Sequence, residues 1–268
     1  MQPLRQLWQR QGGQVNRMRG AQVPVQTALA VRDQLAQHMA QRVGCAPHEV
    51  RFQDEAVVSP AQTLPFVEVV QSAYAARVPL WSHGFYATPK IHYDRHTLSG
   101  RPFYYFAYGA ACSEVAVDTL TGEHKLLRVD ILHDVGQSLH PDIDRGQIEG
   151  GFVQGLGWLT SEELVWNAQG LLQTKGASTY KIPTAADVPD HFHIDFWPEP
   201  NREDNVGGSK AVGEPPFMLA ISVFEALRDA VGSVRADRQP VRLDAPATPE
   251  RVLDAIARVR AGERPAGS

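Results

Sequence analysis

Between Val25 and Val43 the apolar positions recur with a helical period. Val25, Leu29, Leu35/Ala36, Met39 and Val43 share one face with Arg32, and Gly44 is placed to end the helix. The stretch HEVRFQDEAVVSP changes to short β-type runs, a strand pair ending at Pro60. Thr63 then predicts an N-cap for a helix over LPFVEVVQSAYAARV, with Pro65 in its first turn and Val67, Val70 and Tyr74 turned inward. Residues 1–20 carry no clear period and read as a disordered or unrelated leader, taken to end at residue 22.

The middle of the chain switches to period two. RPFYYFAYGAACSEVAVDTLTGEHKLLRVDILHDVG predicts a long β-hairpin with its turn at Thr121-Gly122. Alternation puts Glu114, Ala116 and Asp118 on one side and Val115 and Val117 on the other. A second hairpin is expected in EELVWNAQGLLQTKG around Asn167–Gly170, and DHFHIDFW alternates as a further strand. Two helices close the pattern. One opens at Pro215-Pro216 and presents Phe217, Ala220/Ile221, Phe224, Leu227 and Val231 as a wide apolar face. The other has Thr248 as cap, Pro249 at its first position and Glu250 after it, with Val252, Ile256 and Val259 inward. Hairpins with segregated helices predict an α+β fold.

Composition narrows the classes. Of 268 residues, 43% are hydrophobic and 21% charged, which is ordinary for a globular chain. A net charge of −4 offers no general attraction to nucleic acid or anionic lipid, and no run has the length of a membrane span. The first twenty residues lack the apolar centre of a secretory signal. Cys45 and Cys112 are the two cysteines, too few for a disulfide framework or a four-cysteine metal site. The expectation is a reduced, cytoplasmic protein, with Cys112 a core thiol.

Two stretches can carry chemistry. DRGQIEGGFVQGLGWLTSEEL has glycines at 146, 150, 151, 155 and 157 within a helical pattern, each costing roughly 1 kcal/mol against Ala. Gly146/Gly150 and Gly151/Gly155 are spaced to admit either a neighbouring backbone or a flat ligand, and Gln147 could present its amide there. Neither the dinucleotide-binding nor the P-loop glycine spacing is present. In SKAVGEPPFM, Glu214 stands before two prolines and the apolar helix. Pro215 is expected to push Glu214 toward extended geometry. The helix dipole then favours its ionised form and desolvation opposes it. Cap and general base are both open on these grounds. His133, Asp134, His140 and Asp142 form one metal-capable scatter. His191, His193 and Asp195, on one strand face, form another, and neither matches a metal signature. A carboxylate pair of Glu214 with Glu149 or Asp144 would suit a hydrolase.

In chain order, GFYATPKIHYD, the hairpin and glycine-rich helix, KGASTYKIPTAADVP, SKAVGEPPFMLAISVFEALRDAV and RLDAPATPERV resemble the molybdenum hydroxylases over most of residues 23–260. The likeness is to the C-terminal part of the molybdenum-binding subunit, in the xanthine dehydrogenase branch. It implies residues 23–79 as the end of a preceding molybdopterin-binding half and 80–262 as the C-terminal molybdopterin-binding domain. It implies Glu214 as the base toward a molybdenum-bound hydroxyl, Gln147 as a hydrogen-bonding partner of molybdopterin, and Lys210, Ala211, Val212 and Gly213 as the cofactor's second wall. No side chain here would ligate the metal. Iron–sulfur clusters and FAD would lie on other domains or subunits, in an oligomer of heterodimers. The implied substrate is a purine, hypoxanthine or xanthine. An aldehyde oxidase-type hydroxylase and a non-catalytic domain are the alternatives. The family's subunit is longer, and its substrate-orienting arginine and clamping aromatics lie upstream. The chain is therefore expected to be a shortened or split subunit, inactive alone, with helix 217–231 exposing apolar surface.

Overall fold

Side chains are described for residues 23–238 and 241–263 of this computed structural model. The reading of residues 1–22 as a leader falls outside them. The chain divides into two compact units, Gln14–Tyr104 and a second built from Tyr105 onward.

Helix α1 (Gln2–Val43), which enters the first unit at Gln14, stops at Gly44, whose φ of 74° only glycine adopts readily. The N–H groups of Gly44 and Cys45 both donate to the Ala40 carbonyl and satisfy that end. Its inner face is Leu35, Ala36, Met39 and Ala40, whereas the expected Val25 and Leu29 are exposed. Strands β1 (Arg51–Gln53), β2 (Ala56–Val58) and β3 (Thr63–Pro65) form an antiparallel sheet. Thr63 is therefore not a helix cap: its backbone pairs with Val58 in the sheet. Helix α2 (Phe66–Ala75) starts later, with Pro65 at its N-cap, and this rotates its buried face to Val69 and Ala73. Val67 and Tyr74, expected inward, are 63% and 78% exposed. The hairpin of β4 (His92–Asp94) and β5 (Ser99–Arg101) ends this unit. Residues 80–104 cluster in this unit. Gly84 lies so close to α1 that a Cβ on it would be 2.8 Å from Thr27 Oγ1.

The second unit is α+β as expected. Strands β6 (Gly109–Val117) and β7 (His124–His133) form the long hairpin, and β8 (His191–Phe196) joins β7 in parallel. Gly122 turns the hairpin with a φ of 76°, and a Cβ there would strike the Pro249 carbonyl. A bulge at Leu127 shifts the register between Glu114 and Val115. The buried positions of β7 are consequently Leu126, Val129, Ile131 and His133, with one step of three instead of two. Alternation puts Cys112 on the solvent face with Glu114, so it is not a core thiol. His191, His193 and Asp195 share that solvent side of β8. The second expected hairpin reduces to one bridge, Trp166 with Leu172, around a turn at Asn167–Gly170.

Against this sheet lie α3 (Pro141–Thr160), α4 (Ile221–Gly232) and α5 (Pro249–Ala261). Thr248 caps α5, as its sequence requires. The helix expected from Pro215 is two elements, a 3-10 turn Pro215–Ala220 and then α4. The expected loss of apolar partners is not seen on α4: Val223, Leu227 and Val231 are fully buried. Exposed apolar side chains lie at Ile221 at the start of α4 and, elsewhere in this unit, at Trp158, Leu164, Trp166, Leu171 and Ile182.

The glycines of α3 separate by use. Gly151 and Gly155 receive the backbone of residues 213–217: a Cβ on Gly151 would be 2.8 Å from the Gly213 carbonyl, just before the 3-10 turn, and one on Gly155 would overlap the Phe217 carbonyl within it. Nothing lies within 4 Å of a Cβ on Gly146 or Gly150. Gly155→Ala should therefore destabilise the protein by about 1–3 kcal/mol, and Gly146→Ala should stabilise it by up to about 1 kcal/mol. Urea unfolding of the two variants beside the parent chain measures both signs.

Candidate functional site

The site is the junction of the α3 N-terminal half with the segment Ser209–Glu214. Asn205, Val206, Gly207 and Gly208 make the approach, with φ of 60° and 64° at the two glycines. The segment then lies beside the end of β7: Gln137 N–H donates to the Gly208 carbonyl at 2.9 Å, and Lys210 N–H to the Val135 carbonyl at 2.7 Å. Gly136, at φ 62°, is essential to this pairing because a Cβ there would collide with the Gly208 carbonyl. Asn201 and Asn205 donate their amides to the Ser209 carbonyl at 3.0 and 2.9 Å.

Of the predicted cofactor residues, the structure brings Gln147 and Gly213 together. Gln147 is exposed on α3, one turn before Gly151, and its Oε1 lies 2.9 Å from where a Cβ on Gly213 would be. Ala211 and Val212 are buried, and Ala211 N–H donates to Tyr105 Oη at 3.0 Å. Lys210 turns away from solvent into an ion pair with Asp134, the two side chains 12% and 13% exposed. Its ammonium also lies 6.0 Å from the centre of the Tyr108 ring.

Glu214 departs from expectation in two respects. Its φ of −98° and ψ of −37° are helical, not extended, because its carbonyl closes the 3-10 turn by accepting from Phe217 N–H at 3.1 Å. Its side chain makes no capping hydrogen bond and is exposed, so neither the cap nor the desolvated position is realised. Asp144 is buried and accepts from the Ser138 hydroxyl at 2.7 Å, which sets it apart from the exposed Glu214.

The metal-capable scatter comes apart in three dimensions. His133 is buried, Asp134 pairs with Lys210, and His140 caps α3 by accepting from Ile143 N–H. Among the described residues no three His, Cys, Asp or Glu side chains are grouped to hold a metal ion. No described helix is long and apolar enough to cross a membrane. Tyr105 escaped sequence reasoning because nothing in FYYFAY distinguishes it from its aromatic neighbours.

An open glycine face, an exposed amide with donor and acceptor, and a side-chain-free Gly213 fit a flat heterocycle with hydrogen-bonding edges. They do not form a metal-ligating set. Comparisons with known proteins bear on the family. Residues 21–189 match the molybdopterin cofactor-binding domain model. The chain is 51% identical over 169 residues to xanthine dehydrogenase/oxidase of Rattus norvegicus, covering 63% of this chain and 13% of that protein. It is 45% identical over 161 residues to aldehyde oxidase 1 of Bos taurus, covering 60% and 12%. The solved quinoline 2-oxidoreductase from Pseudomonas putida 86 superposes with a TM-score of 0.60 and 27% identity, over 89% of this chain and 29% of that one. Fold and site thus define an α+β module of the kind found in molybdopterin-binding oxidoreductases. The chain belongs to the molybdopterin cofactor-binding domain family and is xanthine dehydrogenase-like within it. It spans about an eighth of the length of the rat and bovine relatives.

Beneath the site, burial pushes His133 down to about 4; the neighbouring Asp134 partly opposes this and Lys210 adds to it. Its Nδ1 has no hydrogen-bond partner. The folded protein therefore holds His133 neutral, while the unfolded chain takes up a proton below its ordinary value near 6.5. The unfolded state binds more protons in that window, so stability falls as pH drops from about 6.5 to 4, by roughly 3 kcal/mol in all. Urea midpoints measured across this range should fall less steeply in His133→Leu than in the parent.

Proposed function

We propose that this chain is the C-terminal part of a molybdenum-binding subunit of xanthine dehydrogenase type, with Glu214 as general base. The observation that carries this reading is the exposed, uncapped Glu214 carboxylate next to Gly213 and Gln147. A carboxylate stabilising its own helix would accept from the free N–H groups there, and Glu214 accepts none.

A molybdopterin cofactor, when bound, supplies the two-electron oxidation of the substrate. Gln147 is suited to hold its pterin through the amide, with the backbone of Lys210, Ala211, Val212 and Gly213 as the opposite wall. Gly213 keeps that wall free of a side chain. Glu214 takes the proton from the oxygen nucleophile as it attacks an electron-poor ring carbon. Pro215 and Pro216 restrict the backbone immediately behind it.

The substrate in this reading is hypoxanthine or xanthine. The identity to the rat xanthine dehydrogenase/oxidase exceeds that to the bovine aldehyde oxidase, which favours a purine over an aldehyde. The upstream part of the subunit and partners carrying iron–sulfur clusters and FAD complete the enzyme, and this chain alone is inactive. The domain division at residues 22/23 and 79/80 belongs to the same proposal, as does a cytoplasmic location.

The test is Glu214→Gln in the complete, cofactor-loaded assembly. Turnover of xanthine should fall by about 100-fold or more, with molybdenum content unchanged. Normal turnover in that variant would remove Glu214 from the role, and a preference for aldehydes over purines would overturn the substrate assignment.

A further inference from the structure

The geometry points to the Asp134–Lys210 ion pair, backed by Tyr105, as the device that positions Glu214; this rests on the reading of Glu214 as a base. Lys210 stands four residues before Glu214, on the stretch that connects the paired backbone at Ser209 to the exposed carboxylate. Its ammonium is committed to Asp134, and both side chains are almost wholly buried. Neither charge is tolerated there without the other, so the pair closes in one arrangement only.

Each partner is anchored beyond the pair. Asp134 comes directly after the last residue of β7. Its N–H donates to the Tyr108 carbonyl at 2.8 Å, and its carboxylate accepts from Gly136 N–H at 3.0 Å. Lys210 N–H is held by the Val135 carbonyl, so main chain and side chain of one residue grip the same strand end. The next residue, Ala211, is tied through its N–H to Tyr105 Oη, and Val212 is buried against the core. The chain emerges into solvent only at Gly213 and Glu214. An apolar pair in place of Asp134 and Lys210 could fill the same space but would not specify direction, because dispersion contacts are not directional. Lys210 and Asp134 are thus positioning residues. They act through the loop and do not touch the reacting atoms.

Hydrogen exchange on the full chain reads the loop without cofactor. In Lys210→Met and in Asp134→Asn, the amides of Lys210 and Ala211 should exchange about tenfold faster or more, with the amides of β7 unchanged. The double variant Asp134→Leu/Lys210→Met leaves no unpaired charge; it should keep parental β7 protection and still lose loop protection. Unchanged loop protection in the double variant overturns the proposal, as does loss of β7 protection together with that of the loop. In the cofactor-loaded assembly the double variant should lower kcat by up to about 100-fold, with KM within about twofold and molybdenum content retained. A rise in KM at constant kcat overturns it. Normal turnover of Glu214→Gln sinks the base reading alone, and the exchange result still decides whether the pair holds the loop.

Discussion

The backbone from Gly213 into the 3-10 turn Pro215–Ala220 rests directly on α3 at Gly151 and Gly155, and the second unit is built around that contact. Two main chains approach this closely only where one of them has no Cβ. The glycines lower the intrinsic stability of α3. The close approach offsets this by letting Ala220, Val223 and Leu227 reach the core formed with β6 and β7. Glu214 stands at the mouth of this turn, so the contact that closes the core also sets where the carboxylate emerges.

The sheet supplies the other half of the placement. The bulge at Leu127 moves the inward set of β7 by one residue and brings His133 to a buried end position. Asp134, next in the chain, leaves the core and meets Lys210 from the loop. His133 is buried, the Asp134–Lys210 pair nearly so, and the Glu214 carboxylate, four residues beyond Lys210, is exposed.

Periodic segments were legible from sequence. The β6–β7 hairpin, β8, α5 with its Thr248 cap, and the Gly44 stop all stand where local pattern puts them. Their signals are local, since alternation, capping and positive φ each need only a few residues. Thr63, Cys112 and the extended Glu214 failed for a common reason. Strand pairing of Thr63, the solvent side of β6 and the turn hydrogen bond at Glu214 each involve a partner element that propensity does not include. The site was legible only in part. Gln147 and Gly213 do meet, but the sequence offered no sign that Lys210 is withdrawn into Asp134 or that Tyr105 holds Ala211.

By itself, then, the sequence determined the element types, the α+β class, and that the glycines of residues 146–157 must admit something close. It did so because hydrophobic period and the cost of helical glycine are properties of the chain alone. Only the tertiary structure decided which glycines take a backbone and which stay open, and that Glu214 is neither cap nor buried. Those outcomes depend on which surfaces meet, and residues far apart in the chain meet only when the core closes.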